Sequence, residues 1–174
     1  MNIDLIPVGE NPPWDVNMIV ENPVAGNRVK YELDKKSGAM FVDRFLHTNM
    51  YYPGNYGFVP HTLSGDGDPV DVLCVGDVQV FPGSVLRVRP VGVLVMTDEA
   101  GEDEKIVAVP VSKLYPFFDK VKTVGDLPEI ERSQIGHFFK HYKDLEKDKW
   151  VDVKRWGDAD EAAAMIKAGI DRAA

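Results

Sequence analysis

Three carboxylates fall within six consecutive residues of this chain, on a turn that contains both glycine and proline. The segment reads Asp66-Gly67-Asp68-Pro69-Val70-Asp71 and leads into the apolar run 70–75. Crowded carboxylates repel one another, and the repulsion lowers stability unless a cation lies between them. Because a hard divalent ion such as Mg²⁺ prefers carboxylate and water oxygens, the turn predicts a metal site where a strand begins.

A second acidic cluster lies further along the chain and ends at a lysine: Asp98, Glu99, Glu102, Asp103, Glu104 and Lys105. Either cluster alone is also compatible with a solvated loop. A calcium loop of the EF-hand kind does not fit the first cluster, because Val70 falls at a ligand position and Asp71 at the required glycine. Two clusters at the ends of apolar strands together favour a site with more than one metal ion.

The size and charge of the chain limit its class. With 174 residues, we expect one domain spanning 1–174. The N-terminal residues do not read as a signal peptide, and no run approaches the ~20 apolar residues of a membrane span. Cys74 is the only cysteine, which fits a cytoplasmic location and a buried, inert thiol. The net charge of −8 disfavours a nucleic-acid partner, since Lys and Arg neutralise phosphate backbones.

Alternating apolar residues predict β-strands through the first two thirds of the chain. The predicted segments are 15–21, 29–33, 40–45, 70–75, 85–96 and 106–109. In the second segment, Lys30 and Glu32 share the face opposite to the apolar residues. Pro90 and Gly92 interrupt the fifth segment and predict a bend or bulge in a long, curved strand.

Helices are expected late in the chain. Asp126 followed by Pro128 predicts the start of the first helix, which would carry Lys143. Its apolar face would contain Ile135, Phe138, Phe139, Tyr142 and Leu145. Asp158 with Glu161 predicts a capping box at the start of a second helix. Many strands before few helices favour an α+β fold, mainly β with α, built on a small closed barrel.

The first acidic cluster also suggests how a water molecule could be activated. Two metal ions about 3.5–4 Å apart that share a ligand such as Asp71 lower the pKa of a water between them. One carboxylate must stay free to orient or deprotonate this water, and Asp68 is placed for that role. In an extended segment Asp71 would face away from Asp66 and Asp68, so we expect the Gly/Pro turn to bring all three together.

Basic and tyrosine side chains along the chain indicate a phosphate substrate, because such groups hold phosphoryl oxygens. The candidates are Lys30, Arg44, Tyr52, Tyr56, Tyr142 and Lys143. Lys30 and Arg44 are also compatible with surface positions whose aliphatic stems cover apolar area, and Tyr142 with an ordinary core position.

Several motifs together match one family along nearly the whole chain. They are VKYE at 29–32, FVDRF at 41–45, YPxNYG at 52–57, DGDPVDV at 66–72, MTDEAGED at 96–103 and HFFxHYKDL at 137–145. In this order, these motifs resemble those of the soluble family I inorganic pyrophosphatases, bacterial type.

The resemblance implies a role for each matching residue. The implied metal ligands are Asp66, Asp71 and Asp103 for the first Mg²⁺, Asp98 and Asp103 for an ion that arrives with substrate, and Glu21 and Glu32 for additional ions. Asp71 would also reach the second Mg²⁺, and Asp68 would be the general base for the bridging water. The implied pyrophosphate ligands are Lys30, Arg44, Tyr56, Tyr142 and Lys143, with Tyr52 and Lys105 in support.

The resemblance further implies an activity, a fold and an assembly. The activity is Mg²⁺-dependent hydrolysis of inorganic pyrophosphate to two orthophosphates, with several Mg²⁺ ions per subunit and Mn²⁺ or Zn²⁺ as substitutes. The fold is a five-stranded OB-like β-barrel with flanking helices, and the assembly is a homohexamer. Asn22 departs from the apolar residue of many relatives, and residues 111–119 look variable for the family, which assigns them no role.

Two other functional classes fit the sequence less well. A non-catalytic OB module that binds nucleic acid is disfavoured by the acidic charge. A structural or buffering protein for divalent ions would have no use for the lysine, arginine and tyrosine set. His137 and His141 could form half a zinc site, but no third ligand has plausible spacing. The resemblance instead implies that these histidines lie near a subunit contact, where protonation would make assembly sensitive to pH.

Overall fold

The computed structural model describes residues 1–174 and consists mainly of β-strands. The strands are β1 Val16–Asn22, β2 Val29–Leu33, β3 Met40–Phe45, β4 Asn55–Phe58, β5 Asp71–Cys74, β6 Val85–Asp98, β7 Gly101–Pro110 and β8 Val151–Gly157. The α-helices are α1 Glu129–His141 and α2 Ala159–Ala173, with short 3₁₀ helices at Ile3–Leu5, Pro116–Phe118 and Val124–Asp126. The predicted α+β class is confirmed.

Five strands close into a ring of backbone hydrogen bonds. Their order is β1-β4-β5-β7-β6, and the antiparallel pairing of β6 with β1 closes the ring. β5 and β7 run parallel, because the chain passes through β6 between them. β8 pairs with β6 outside the ring. Closure removes the unpaired edges of an open sheet and confirms the predicted five-stranded, OB-like barrel with flanking helices.

The long strand β6 bends in the middle, as predicted. Its first residues pair with β1 and its last residues with β8, and the register with β7 shifts between Pro90 and Gly92. Proline cannot donate a ladder hydrogen bond. A Cβ at Gly92 would lie 2.7 Å from the Cβ of Val124, so a larger residue would clash with the 3₁₀ helix at this bend.

Strands β2 and β3 form a separate two-stranded sheet, called here the β2–β3 hairpin. The hairpin does not pair with the barrel through a backbone ladder. Its Leu33 packs instead in a small buried cluster with Ile3, Ile19 and Phe58. The hairpin is therefore attached to the outside of β1 by side chains, and it carries Lys30, Glu32 and Arg44 towards one end of the barrel.

The helices cover two sides of the barrel. The apolar face of α1 buries Ile135, Phe138 and Phe139 against a core that includes Leu94. Helix α2 buries Ala162 and Ile166 against a second cluster, which also contains Cys74. Cys74 is a buried free thiol, as predicted, and burial raises its pKa. Neither helix is both long and apolar enough to cross a membrane.

The ends of the helices differ from the prediction. Asp126 does not cap α1; its carboxylate accepts hydrogen bonds from the N–H groups of Lys122 and Thr123 and caps the preceding 3₁₀ helix. The cap position of α1 is Pro128. Helix α2 does start at Asp158, whose side chain accepts from the N–H of Glu161. The Glu161 carboxylate binds Arg155 instead of completing a capping box.

The C-terminal end of α1 also lies earlier than predicted. The helix ends at His141, Tyr142 is its cap, and Lys143 lies in the following turn. At this end, the carbonyl of Tyr142 accepts a hydrogen bond from the Thr48 hydroxyl at 3.1 Å, a partner outside the helix. Leu145, expected on the apolar face, is exposed.

Two strands were not predicted, and one predicted strand is longer than expected. β4 is a four-residue strand that is buried throughout, so it lacks the alternation of an amphipathic strand. β8 is exposed or half-buried except at Gly157. β7 begins at Gly101, five positions before the predicted Ile106, because acidic residues continue the ladder with β6. The acidic cluster is thus a strand hairpin with a turn between Asp98 and Gly101.

Candidate active site

A buried lysine joins two strands at the acidic end of the barrel. Asp71 is the first residue of β5, and Asp103 and Lys105 share one face of β7. The Lys105 ammonium donates to Asp71 Oδ2 at 2.6 Å and also to Asp103. Burial raises the pKa of Asp103. Burial alone would lower the pKa of Lys105, but the two aspartates raise it on balance, so the lysine remains charged.

Glu21 reaches the same end of the barrel from a bulge in β1. The register between β1 and β4 shifts between Val20 and Asn22, which makes Glu21 the extra residue. Bulges of this kind re-aim side chains. Glu21 Oε1 accepts a hydrogen bond from the Leu33 N–H at 2.8 Å. Burial raises the pKa of the Glu21 carboxyl to about 7 despite this hydrogen bond.

The Gly/Pro turn before β5 places its aspartates along two neighbouring cavities. Asp66 Oδ1 accepts a hydrogen bond from the Asp68 N–H at 3.0 Å, and Gly67 adopts a φ of +94° that favours glycine. Asp66 faces a neighbouring cavity that is also lined by Glu102 and Glu104. The expected convergence of the three aspartates on one metal site stays a prediction.

One small cavity nevertheless brings together most of the predicted acidic and basic groups. It measures about 140 Å³ and lies between the β2–β3 hairpin, β4 and the start of β5. The predicted site residues in its wall are Glu21, Lys30, Glu32, Tyr56, Asp68 and Asp71. The Asp68 carboxylate is open to solvent, with 80% of its side chain exposed and its Oδ1 4.0 Å from Lys35 Nζ.

The two basic residues of the β2–β3 hairpin are linked through Asp43. Lys30 and Arg44 are register partners, and Asp43 is the extra residue of a bulge beside them. The Asp43 carboxylate lies 3.0 Å from Lys30 Nζ and accepts from Arg44 Nε at 2.9 Å. Arg44 Nη1 donates at 2.5 Å to Glu146, which lies in the turns after α1. The hairpin is therefore joined to the segment that carries Lys143.

Lys143 is held by the acidic hairpin of β6 and β7. Its ammonium donates to Asp98 Oδ2 at 2.7 Å and lies 3.7 Å from Glu99 Oε1. Burial acts to raise the pKa of Asp98, but the hydrogen bond from Lys143 brings it below its ordinary value. The ammonium also lies 5.6 Å from the centre of the Tyr142 ring, at cation–π distance.

The predicted tyrosines form one aromatic group beneath these charges. The Tyr52 and Tyr56 rings stack with centres 5.1 Å apart, and Tyr52 also contacts Phe138 of α1. Lys105 Nζ lies 5.7 Å from the Tyr56 ring centre. Burial raises the pKa of Tyr52, Tyr56 and Tyr142, so these phenols stay protonated and can donate hydrogen bonds.

The donor set of this end of the barrel fits a hard divalent cation. Its acidic members present carboxylate oxygens only, which are the ligands that Mg²⁺ prefers. The Lys105 ammonium already lies between Asp71 and Asp103, so these two carboxylates are close enough to share a cation. No three side chains among the His, Cys, Asp and Glu residues form a ready-made ligand cluster in this arrangement.

Some residues of the network were not predicted. Asp43 and Glu146 organise Arg44, and Glu99 connects Lys143 with Lys149. A signal for Asp43 was present, since an acidic residue between Val42 and Arg44 falls on a strand rich in apolar positions. Glu146 had no sequence signal, because it lies 102 residues from its partner.

His137 and His141 occupy neighbouring turns of α1, with ring centres 4.6 Å apart. His141 Nδ1 lies 2.7 Å from an Asp144 carboxylate oxygen. Both rings line a surface cavity of α1 and β8 together with Arg132 and Trp156. Their expected location near a subunit contact stays a prediction.

Comparison with known proteins places this chain and its barrel in one family. A family model described as inorganic pyrophosphatase matches residues 18–174. The inorganic pyrophosphatase of Rhodospirillum rubrum is 64% identical over 170 residues, which are 98% of this chain and 95% of that protein. A solved structure described as inorganic phosphatase from Anaplasma phagocytophilum has a TM-score of 0.95 at 50% identity, covering 97% of this chain and 98% of its own. The inorganic pyrophosphatase from Thermus thermophilus has a TM-score of 0.94 at 42% identity, with 99% of both chains covered.

Together with the closed barrel and its charged end, these matches define the class of protein. It is a hydrolase of the inorganic diphosphatase class. More particularly, the chain belongs to family I of the inorganic pyrophosphatases and to its bacterial branch. The family predicted from the sequence motifs is confirmed.

Proposed function

We propose that this chain hydrolyses inorganic pyrophosphate to two orthophosphates in a reaction that depends on Mg²⁺. The observation that carries the proposal is the small cavity in which Glu21, Asp68 and Asp71 face Lys30 and Tyr56. Carboxylates alone would suit a cation, and lysine with tyrosine alone would suit an anion. Their combination suits an anion that binds together with divalent cations.

The metal-binding residues proposed are Asp66, Asp71, Asp98, Asp103, Glu21 and Glu32. When bound, Mg²⁺ supplies Lewis-acid neutralisation of phosphoryl oxygens and lowers the pKa of a nearby water. Lys105 holds Asp71 and Asp103 in position, because its buried ammonium contacts both carboxylates. Oxygen ligands also accept Mn²⁺ and, less selectively, Zn²⁺, so both are candidates for substitution.

Asp68 is proposed as the general base. Its carboxylate is exposed at the mouth of the cavity, and its nearest cation is Lys35 at 4.0 Å. It therefore remains available to take a proton from water while the water oxygen bonds to one phosphorus. The bond from that phosphorus to the bridging oxygen breaks in line, and the second phosphate leaves with the electron pair of that bond.

The basic and phenolic groups are proposed to bind the two phosphates. Lys30 and Tyr56 line the cavity itself. Arg44, which shares the Asp43 carboxylate with Lys30, would together with Lys143 and Tyr142 stabilise the charge that develops on the leaving phosphate. Arg44 suits this role because its planar guanidinium can hold two phosphate oxygens at once.

The direct test is release of orthophosphate from pyrophosphate, measured with Mg²⁺ and with excess chelator. Metal-dependent release is the expected result. Absence of release in Mg²⁺ would overturn the proposal. Tight binding of single-stranded nucleic acid without metal would favour the OB module instead, and metal binding without turnover would favour a divalent-ion buffer.

A second test addresses the division of roles within the acidic turn. Asp68→Asn should keep the fold and much of the metal affinity but lose about 10²-fold or more in kcat, the usual contribution of a general base. Asp171→Asn is the control, because Asp171 pairs only with Lys167 on the exposed side of α2. Near-native turnover of Asp68→Asn would remove Asp68 from the role.

The assembly and the location of the protein are proposals that the resemblance supplies. We propose a homohexamer in the cytoplasm, without a nucleic-acid or membrane partner. Sedimentation at mildly acidic and neutral pH tests both the hexamer and the effect of protonating His137 and His141. A single oligomer that is unchanged between the two pH values would contradict the proposed histidine effect.

A further inference from the structure

Asn22 is a buried amide whose two ends bind the same backbone residue of the β2–β3 hairpin. Its side chain is at the end of β1, and the residue is only 1% exposed. Nδ2 donates to the Tyr31 carbonyl at 3.0 Å, and Oδ1 accepts from the Tyr31 N–H at 2.7 Å. The amide thus satisfies both main-chain groups of Tyr31, as a residue of a neighbouring strand would.

This contact matters because the hairpin has no backbone ladder with the barrel. Polar attachment of β2 to β1 comes from two adjacent side chains, Asn22 to Tyr31 and Glu21 to Leu33. Successive side chains of a regular strand point to opposite faces. The bulge at Glu21 explains why both side chains reach β2.

The residue that Asn22 holds lies between two members of the proposed site. Tyr31 is flanked by Lys30, a proposed phosphate ligand, and by Glu32, a proposed metal ligand, and both line the small cavity. The register of the hairpin also shifts between Lys30 and Tyr31, so the ladder with β3 is irregular at this point. A two-stranded sheet with an irregular ladder holds its side chains in place only weakly. The contact from Asn22 to the backbone of Tyr31 adds a fixed point to the hairpin.

We propose that Asn22 is a positioning residue that sets the location of Lys30 and Glu32 relative to Glu21 and Asp71. This inference rests on the proposed function of the cavity. Asn22 does not touch substrate; it acts through the backbone of Tyr31. Loss of the amide leaves the Leu33 cluster and the Glu21 hydrogen bond intact, so the hairpin stays attached but is less well aligned.

The test is Asn22→Leu, which keeps the number and branching of the side-chain heavy atoms and removes both hydrogen bonds. The expected result is an increase of about fivefold to tenfold in KM for Mg-pyrophosphate, because two hydrogen bonds contribute about 1–1.4 kcal/mol net to the alignment. The half-saturating Mg²⁺ concentration should rise in parallel, whereas kcat at saturation should change less than about twofold. Faster hydrogen exchange at the Tyr31 amide is the readout that is independent of activity.

Asn17→Leu is the matched control. Asn17 lies on the same strand, is also buried, and uses its amide for a backbone carbonyl, that of Pro7 at 2.8 Å. This variant should lose stability without changing KM or the exchange of Tyr31. If Asn22→Leu fails to fold, Asn22→Ser replaces it, since serine is too short to bind both main-chain groups of Tyr31.

The outcomes separate this inference from the proposed function. Absence of turnover in the wild-type enzyme would overturn the proposed function. In that case, slower hydrogen exchange of the Tyr31 amide in the wild type than in the Asn22 variant would still support the alignment role. An active wild type whose Asn22 variants match Asn17→Leu in KM, Mg²⁺ dependence and Tyr31 exchange would overturn the inference. A uniform loss of kcat without a change in KM would also contradict it.

Discussion

The Lys105 ammonium lies 2.6 Å from the Asp71 carboxylate, and this contact joins β7 to the first residue of β5. The same ammonium binds Asp103, so one cation separates two carboxylates at the centre of the acidic end of the barrel. Lys105 is 4% exposed, which makes it one of the few buried charges of the protein. A buried charge requires partners, and here the partners are proposed metal ligands.

Lys105→Met is expected to destabilise the fold. Removing one member of a buried ion pair leaves uncompensated charge, and we expect a loss of about 3 kcal/mol in the free energy of unfolding. Urea unfolding measures this loss. Added Mg²⁺ should stabilise the variant more than the wild type, because a divalent ion can replace the missing cation.

Lys167→Met is the control for this change, since Lys167 forms an exposed pair with Asp171. That variant should lose less than about 1 kcal/mol and respond to Mg²⁺ as the wild type does. An identical Mg²⁺ response of both lysine variants would contradict a shared metal and lysine site.

Glu146→Gln is expected to raise KM for Mg-pyrophosphate about fivefold, a change of about 1 kcal/mol, because Arg44 loses one of its two carboxylate partners. The effect is limited because Asp43 still binds Arg44. Glu146 Oε2 contacts Arg44, and Glu146 Oε1 is buried without a hydrogen-bond partner. Arg44 is therefore the only cation that this carboxylate contacts. Steady-state kinetics measures the change, with Asp171→Asn as the control; an unchanged KM would show that Asp43 alone positions Arg44.

Gly57→Ala should disrupt the barrel between β1 and β4. A Cβ at Gly57 would lie 1.9 Å from the carbonyl oxygen of Ile19, and the paired strands cannot separate without loss of the ladder. We expect a loss of about 3 kcal/mol in the free energy of unfolding. Gly65→Ala is the control, because nothing lies within 4 Å of its added methyl; equal stability of the two variants would contradict this packing.

Asp126→Asn should change stability in a pH-dependent manner. Backbone hydrogen bonds from Thr123 and Lys122 lower the pKa of Asp126 below its ordinary value. A carboxyl whose folded pKa is depressed stabilises the fold above its unfolded pKa, and this contribution disappears as pH falls through the folded pKa. The Tm of the variant should therefore lie below that of the wild type at neutral pH and converge with it below about pH 4. A constant difference in Tm at all pH values would contradict this assignment.

Local sequence predicted the elements that have a clear period or a distinctive turn. The apolar alternation of β1, β2 and β3 was found within one residue at either end, and the Pro90 and Gly92 pair located the bend of β6. The motif at 66–72 identified the family without any contact information. These features depend on neighbouring residues, and such local preferences are readable from one sequence.

Other features needed the fold. β4 was missed because burial on all sides removes its alternation, and β7 extends into the acidic cluster because pairing with β6 outweighs the low strand preference of its charged residues. Asp126 was assigned to the wrong helix because two helical segments begin within a few residues of each other.

The residue types and order of the chain determined its family, its barrel and the identities of its acidic and basic groups. Tertiary structure alone decided that Lys105 lies between Asp71 and Asp103, that Glu146 meets Arg44, and that Asn22 holds Tyr31. The physical reason is distance along the chain. Local patterns report the conformation of a segment, whereas the pairing of charges and amides depends on which segments the closed barrel brings together.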